Sequence, residues 1–127
     1  MWGKLVRLNA LALMTSAHDV RLGPISSTPE LRDELRACLE EGAAVANADG
    51  ASVDPEAEMG ELDDSHATLS SSMQRDIAAG AEPELDAIAG SVLRAAARHE
   101  LVCPTIERLA TRVAERAGTP VPAAASR

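Results

Sequence analysis

The chain has 127 residues, 46% hydrophobic and 25% charged, the composition of one globular domain and not of a disordered chain. Trp2 is the sole aromatic side chain. That argues against a sandwich or barrel, whose pleated faces are filled by aromatic and β-branched residues, and it removes the stacking platforms of single-strand and RNA binders. Twenty acids stand against twelve bases, a net charge of −8, so the basic stripe that nucleic acid requires is missing.

Leu5, Leu8, Leu11 or Ala12, and Thr15 recur at helical spacing, widened by Leu13 and Met14, and predict a helix over residues 2–16. Lys4 and Arg7 ahead of Leu8–Met14 have the outline of an export signal, but Asn9 interrupts the apolar stretch and no A-x-A site follows. The expected location is the cytoplasm. His18 to Ser26, with Gly23-Pro24, reads as a connector. A second helix starts at Ser27 or Thr28, with Pro29 in its first turn and Glu30 in capping-box register with Ser27. Leu31, Leu35, Cys38, Leu39 and Ala43 line its inner face, and Asp49-Gly50 ends it. Asp54-Pro55-Glu56 opens a short helix with Met59 and Leu62 as its large apolar residues. A polar stretch, Asp63 to Ser72, separates it from a helix over Met73–Ala79, stopped by Gly80. Pro83 opens the next, with Leu85, Ile88, Val92 or Leu93, and Ala96 on one stripe, ending near His99. Pro104 opens the last, with Ile106, Leu109 and Val113 inward, ending at Gly118. No alternating strand run occurs. The expectation is an all-α bundle of about five or six helices over residues 1–118, with 119–127 a disordered tail.

Seven acids, Asp49, Asp54, Glu56, Glu58, Glu61, Asp63 and Asp64, lie close together without a base among them. They read as a solvated helix face with its loops, since a calcium loop needs a ligand ladder and a central Gly. Cys38 and Cys103 form no CxxC and sit among apolar neighbours, as small core residues of a reducing compartment do. His18, His66 and His99 lack ligand spacing, and the position four after His99 is Cys103, so no metal is expected. No apolar run reaches the ~18–20 residues that span a bilayer. There is no GxGxxG, P-loop, GxSxG or HExxH. These features alone describe an acidic helical domain.

One stretch carries more. SSMQRDIAAGAEPELDAIAG, Ser71 to Gly90, resembles the signature of the C-terminal domain of ketopantoate reductases (2-dehydropantoate 2-reductases). That signature is a Ser-Met-x-x-Asp helix, a Gly-x-Pro/Thr-Glu-hydrophobic-Asp turn and a Gly one turn later, here Ser72, Met73, Asp76, Gly80, Glu84, Leu85, Asp86 and Gly90. Trp2-Gly3-Lys4 resembles the Trp-x-Lys that opens the family's catalytic domain. Pro104, in LVCPTIERL, resembles the proline that starts its final helix. The likeness runs from Trp2 to Val113.

The resemblance implies an all-α bundle of the 6-phosphogluconate dehydrogenase C-terminal type. It also implies an enzyme that reduces the ketone of ketopantoate to pantoate with NADPH, in pantothenate biosynthesis. Lys4 matches the lysine that polarises and protonates the ketone oxygen; Ser72 and Glu84 match residues that hold the substrate. The chemistry suits them. Hydride addition builds negative charge on oxygen, which a cationic proton donor stabilises, and a carboxylate and a hydroxyl suit a substrate hydroxyl. Without the resemblance, Lys4 is a solvated lysine, Ser72 a helix cap, and Glu84 a first-turn carboxylate facing the helix dipole.

Many family members carry Asn four and eight residues after the lysine, where Leu8 and Ala12 stand, and another just before the late Gly, where Ala89 stands. Asn9 is one place off, about 100° round the helix. A related 2-oxo acid is therefore open beside ketopantoate. The family also places a dinucleotide-binding βαβ domain ahead of this segment. Here Met1 directly precedes Trp2, and no phosphate-cradling glycine turn occurs. The chain is expected to bind no NADPH by itself, to be inactive alone, and to depend on a separate nucleotide-binding domain. The alternative expectation is a non-catalytic helical association module, a homodimer formed through uncovered apolar surface. A secreted small acidic protein would rest only on the signal-like start.

Overall fold

A computed structural model describes residues 2–122, and every regular element among them is helical. The helices are α1 (Trp2–His18), α2 (Leu22–Ser27), α3 (Pro29–Ala48), α4 (Pro55–Asp63), α5 (Ser72–Ala78), α6 (Ser91–Arg98) and α7 (Pro104–Ala117). A π-helical turn over Asp86–Gly90 runs directly into α6. The bundle is all-α, as the sequence predicts.

The added helix is α2, inside the stretch read as a connector. Leu22 and Ile25, three residues apart, are both buried and give this single turn an inner face. Pro24 falls in the first turn, where its missing N–H is no loss. The N–H groups of Leu22 and Gly23 donate to the carbonyls of Leu69 and Ala67, at 2.9 and 2.8 Å. Only glycine allows that approach, because a Cβ on residue 23 would stand 2.9 Å from the Ala67 Cβ. These partners lie over forty positions away, so nothing local announces the turn.

The core forms around α1. Every residue from Asn9 to Ala17 is buried, which makes α1 a central helix, apolar on nearly all sides. It packs on α3, α5, α7 and the π turn. Leu13, Met14, Leu35, Leu39, Ile106 and Leu109 are the large side chains of this core, each contributing about 1.5–3 kcal/mol on burial. Cys38 and Cys103 are free and buried within it. Burial pushes both thiols up, Cys103 to about 12.

The cap of α3 differs from its reading, and α7 has a cap that its own segment does not announce. Thr28 occupies the cap position of α3 without a side-chain bond; Ser27 is spent in the last turn of α2, so its box with Glu30 does not form. The N-terminus of α7 is capped from α3 instead, where Glu41 Oε2 and Oε1 accept from the Thr105 and Ile106 N–H groups at 3.1 and 3.0 Å. The Asp54 cap forms as expected, accepting from the Glu56 N–H at 3.0 Å.

The acid-rich stretch is only partly a solvated face. Asp63 accepts two bonds of 2.8 Å from the Arg32 guanidinium, Glu56 pairs with Arg36, and Glu58 pairs with Arg7. These acids fasten α4 to α3 and α1. Past Gly118, Val121 packs against the core and Pro122 is buried. Residues 119–122 therefore belong to the fold, while 123–127 lie outside the described residues. No described helix is long and apolar enough to cross a membrane.

Candidate functional site

Lys4 stands exposed in the first turn of α1. It is the only lysine of the chain. Leu8, one turn on, is 43% exposed, whereas Asn9 is completely buried, so the one-place offset turns the amide inward. Both amide atoms of Asn9 are buried without a hydrogen-bond partner among the described residues. Ala12 and Ala89 are buried too, and neither offers a ligand a polar group.

Ser72 is the first residue of α5 and is exposed. The cap of α5 is Ser71, which the sequence reading passed over. Its hydroxyl accepts from the Gln74 N–H at 3.0 Å and lies 2.7 Å from Thr15 Oγ1. Thr15 also lies 2.7 Å from the Leu11 carbonyl and donates to it, which leaves Ser71 to donate to Thr15. Ser71 is thus fully engaged, and its neighbour's hydroxyl is left facing solvent. The signal was present: Ser-x-x-Gln, Ser71 to Gln74, is capping-box spacing.

Glu84 is exposed and has no side-chain hydrogen bond among the described residues, while its carbonyl accepts from the Ile88 N–H at 3.1 Å. Buried Pro83 and Leu85 anchor it on either side. The π turn that follows lies inside the family-like signature, and π turns recur at functional sites. Its geometry explains Gly90. The Arg94 guanidinium reaches back over residue 90 to Asp86, with bonds of 2.8 Å to Oδ1 and 3.1 Å to the carbonyl. A Cβ on residue 90 would stand 2.6 Å from Asp86 Oδ1 and 2.8 Å from the guanidinium.

Lys4 lies on α1, against which pack both α5, opened by Ser72, and the π turn, which begins two residues past Glu84. Lys4 and α5 do not stand at one level. Ser71 bonds to Thr15, eleven residues after Lys4, about 16 Å along the helix axis. Beside the Lys4 turn, a groove of about 370 Å³ is lined by Trp2, Leu5, Ser91, Arg94 and Arg98. Beside α5, a cavity of about 140 Å³ is lined by residues including Ser16, Asp19, Gln74 and Arg116. Ser16 Oγ and Gln74 Oε1 are buried without a hydrogen-bond partner among the described residues, which suits ordered water.

Fold and site together define a class first: an all-helical domain whose first turn of the central helix carries an exposed lysine and whose signature glycine lets an ion pair close over a π turn. Over residues 1–117 the chain matches the family described as "Ketopantoate reductase PanE/ApbA C terminal", and it belongs to that family. A 2-dehydropantoate 2-reductase of Halobacterium salinarum is 30% identical over 122 residues, covering 93% of this chain and 40% of the relative. The dimeric ketopantoate reductase of Staphylococcus aureus superposes with a TM-score of 0.84 at 24% identity, over 92% of this chain and 42% of that one. A D-mandelate dehydrogenase solved with NADH and anilino(oxo)acetate superposes with a TM-score of 0.83 at 17% identity, over 92% of this chain and 40% of its own. These two structures share the fold. The chain spans about two-fifths of the length of each relative.

Proposed function

We propose that the chain is the substrate-binding and proton-donating domain of a 2-oxo acid reductase of the ketopantoate type. The observation that carries this reading is the family match from residue 1 to 117, which includes Lys4, exposed in the first turn of α1. Lys4 donates a hydrogen bond, then its proton, to the ketone oxygen as charge develops there. Ser72 and Glu84 hold the substrate's polar end.

A reduced nicotinamide supplies the hydride in such a reaction. The described helices contain no strand, glycine turn and helix in sequence, the unit that cradles a dinucleotide. Our reading assigns NADPH to a separate nucleotide-binding domain and activity to the two together. It places the protein in the cytoplasm, where two buried free thiols are at home. It also includes a homodimer, supported by the dimeric Staphylococcus aureus relative and by Val102, 83% exposed.

Titration of the chain with pantoate, followed by amide and Lys4 side-chain resonances, tests the reading. Saturable shifts at Lys4, Ser72 and Glu84 at millimolar ligand are expected, and Lys4→Ala should abolish them. Resonances that stay still through tens of millimolar pantoate and ketopantoate would refute it. Sedimentation at high concentration tests the dimer.

A further inference from the structure

Three residues outside the substrate-binding set hold the turn that carries Lys4. The Trp2 indole Nε1–H donates to Asp49 Oδ2 at 3.1 Å, and His99 Nε2–H donates to Asp49 Oδ1 at 2.9 Å. Trp2 opens α1, Asp49 closes α3 and His99 closes α6, so one carboxylate ties three helix ends together. Both closing residues have fixed backbones. The Asp49 N–H donates to the carbonyls of Val45 and Ala46, and the His99 N–H to those of Ala95 and Ala96.

Asp49 is badly placed on local grounds. A carboxylate at a helix C-terminus meets the negative end of the dipole. Its partners, 47 and 50 positions away, offset that. A local preference overridden for a long-range contact is the pattern expected at a functional position. The bond from His99, then that from Trp2, holds the Asp49 carboxyl below the usual carboxylate range, with Arg98 adding to the effect. Arg94 and Arg98 line the groove beside Trp2. On another side of the turn, Glu58 Oε2 lies 3.2 Å from where a Gly3 Cβ would stand.

We propose that Asp49 and His99 are positioning residues for the Lys4 amine, acting through the Trp2 indole to fix the first turn of α1. This rests on the reading of Lys4 as the proton donor. Lys4 lies two residues past Trp2, about 200° round the helix, so the clamp acts through the backbone and not by contact. The amine stands about 8 Å from the helix axis, so a turn of about 20° swings it by about 3 Å. Misplacement by about 1 Å can cost on the order of 100-fold in rate.

The chain has one tryptophan and one lysine, so each reports alone. Reductive ¹³C-methylation labels Lys4 and the N-terminal amine, and the Trp2 indole N–H gives a single ¹⁵N cross-peak. In Asp49→Ala the indole cross-peak should move to the free-indole position and the Lys4 methyl signal toward its random-coil position, with helical circular dichroism retained. His99→Phe should shift both signals in the same direction and supplies the same test should Asp49→Ala fail to fold. His99→Gln, whose amide still donates, should leave both near the parent values. Ile106→Val, a core change, should lower stability and move neither. A Lys4 signal unmoved in both Asp49→Ala and His99→Phe overturns the proposal, whatever the indole does. Absence of a pantoate response in the parent chain would instead count against Lys4 as donor and leave these shifts unaltered.

Discussion

Replacing Glu41 by alanine removes the side-chain cap of α7 and should cost about 2 kcal/mol. The two carboxylate oxygens accept from the Thr105 and Ile106 N–H groups at 3.1 and 3.0 Å in a partly buried setting. Both donors belong to the first turn of α7, where no carbonyl of the helix can reach them. A hydrogen bond to a charged group contributes about 1.5–3 kcal/mol and a lost helix cap about 0.5–2 kcal/mol. The two bonds share one carboxylate, and water recovers part of the loss, so a value between these ranges follows. Unfolding entropy of about 2.1 cal/mol/K per residue comes to about 0.27 kcal/mol/K for a chain this long, so the melting temperature should fall by about 7 °C. Thermal melts by circular dichroism measure it. Thr28→Ala is the matched control: Thr28 occupies the cap position of α3 without a side-chain bond and should cost less than about 0.5 kcal/mol. A Glu41→Ala melt within about 2 °C of the parent, or an equal loss in Thr28→Ala, would refute the reasoning.

Asn9→Leu should raise stability by about 1–2 kcal/mol, because it removes two buried polar atoms that have no partner; a lower denaturation midpoint would reveal a hidden one. Gly90→Ala should cost about 1–3 kcal/mol, since its Cβ would stand 2.6 Å from Asp86 Oδ1 and displace the Arg94 bridge; an unchanged melt would contradict that geometry. The Arg32 guanidinium holds Asp63 below its ordinary value of 3.8. The stability this pair contributes is present above that value and is lost as pH falls toward the native one. Asp63→Asn should therefore flatten the acid limb of stability, by a small amount because Asp63 is exposed and Arg32 only half-buried. Cys38 and Cys103 should resist thiol reagents in the native protein and titrate as two thiols once unfolded; native reaction at the rate of free cysteine would contradict their burial.

The helical class was legible because it rests on short-range chemistry. Pro29, Pro55 and Pro104 mark first turns, and apolar residues at helical spacing mark inner faces. Asp54 finds its cap partner two residues away. The candidate site was legible only as three separate residues. Ser72 could be named, but that Ser71 takes the structural bonds and leaves the Ser72 hydroxyl exposed depends on Thr15, 56 positions earlier. Asn9 could be seen to lie one place off, but its complete burial follows from how α1 is surrounded. The role of Gly90 was hidden as well, since the side chains that would strike a Cβ there meet only once the π turn forms.

By itself, then, the order of residues determined every helical segment but Leu22–Ser27, which side of each is apolar, and the family to which the signature points, because these depend on neighbours within a few positions. Tertiary structure alone decided that Leu22–Ser27 folds against Ala67 and Leu69, that Glu41 caps α7 and that Asp49 joins Trp2 to His99. The physical reason is common to all three. Each bond satisfies a polar group with a partner more than forty residues distant, and no local propensity records a partner that only packing brings within hydrogen-bond reach.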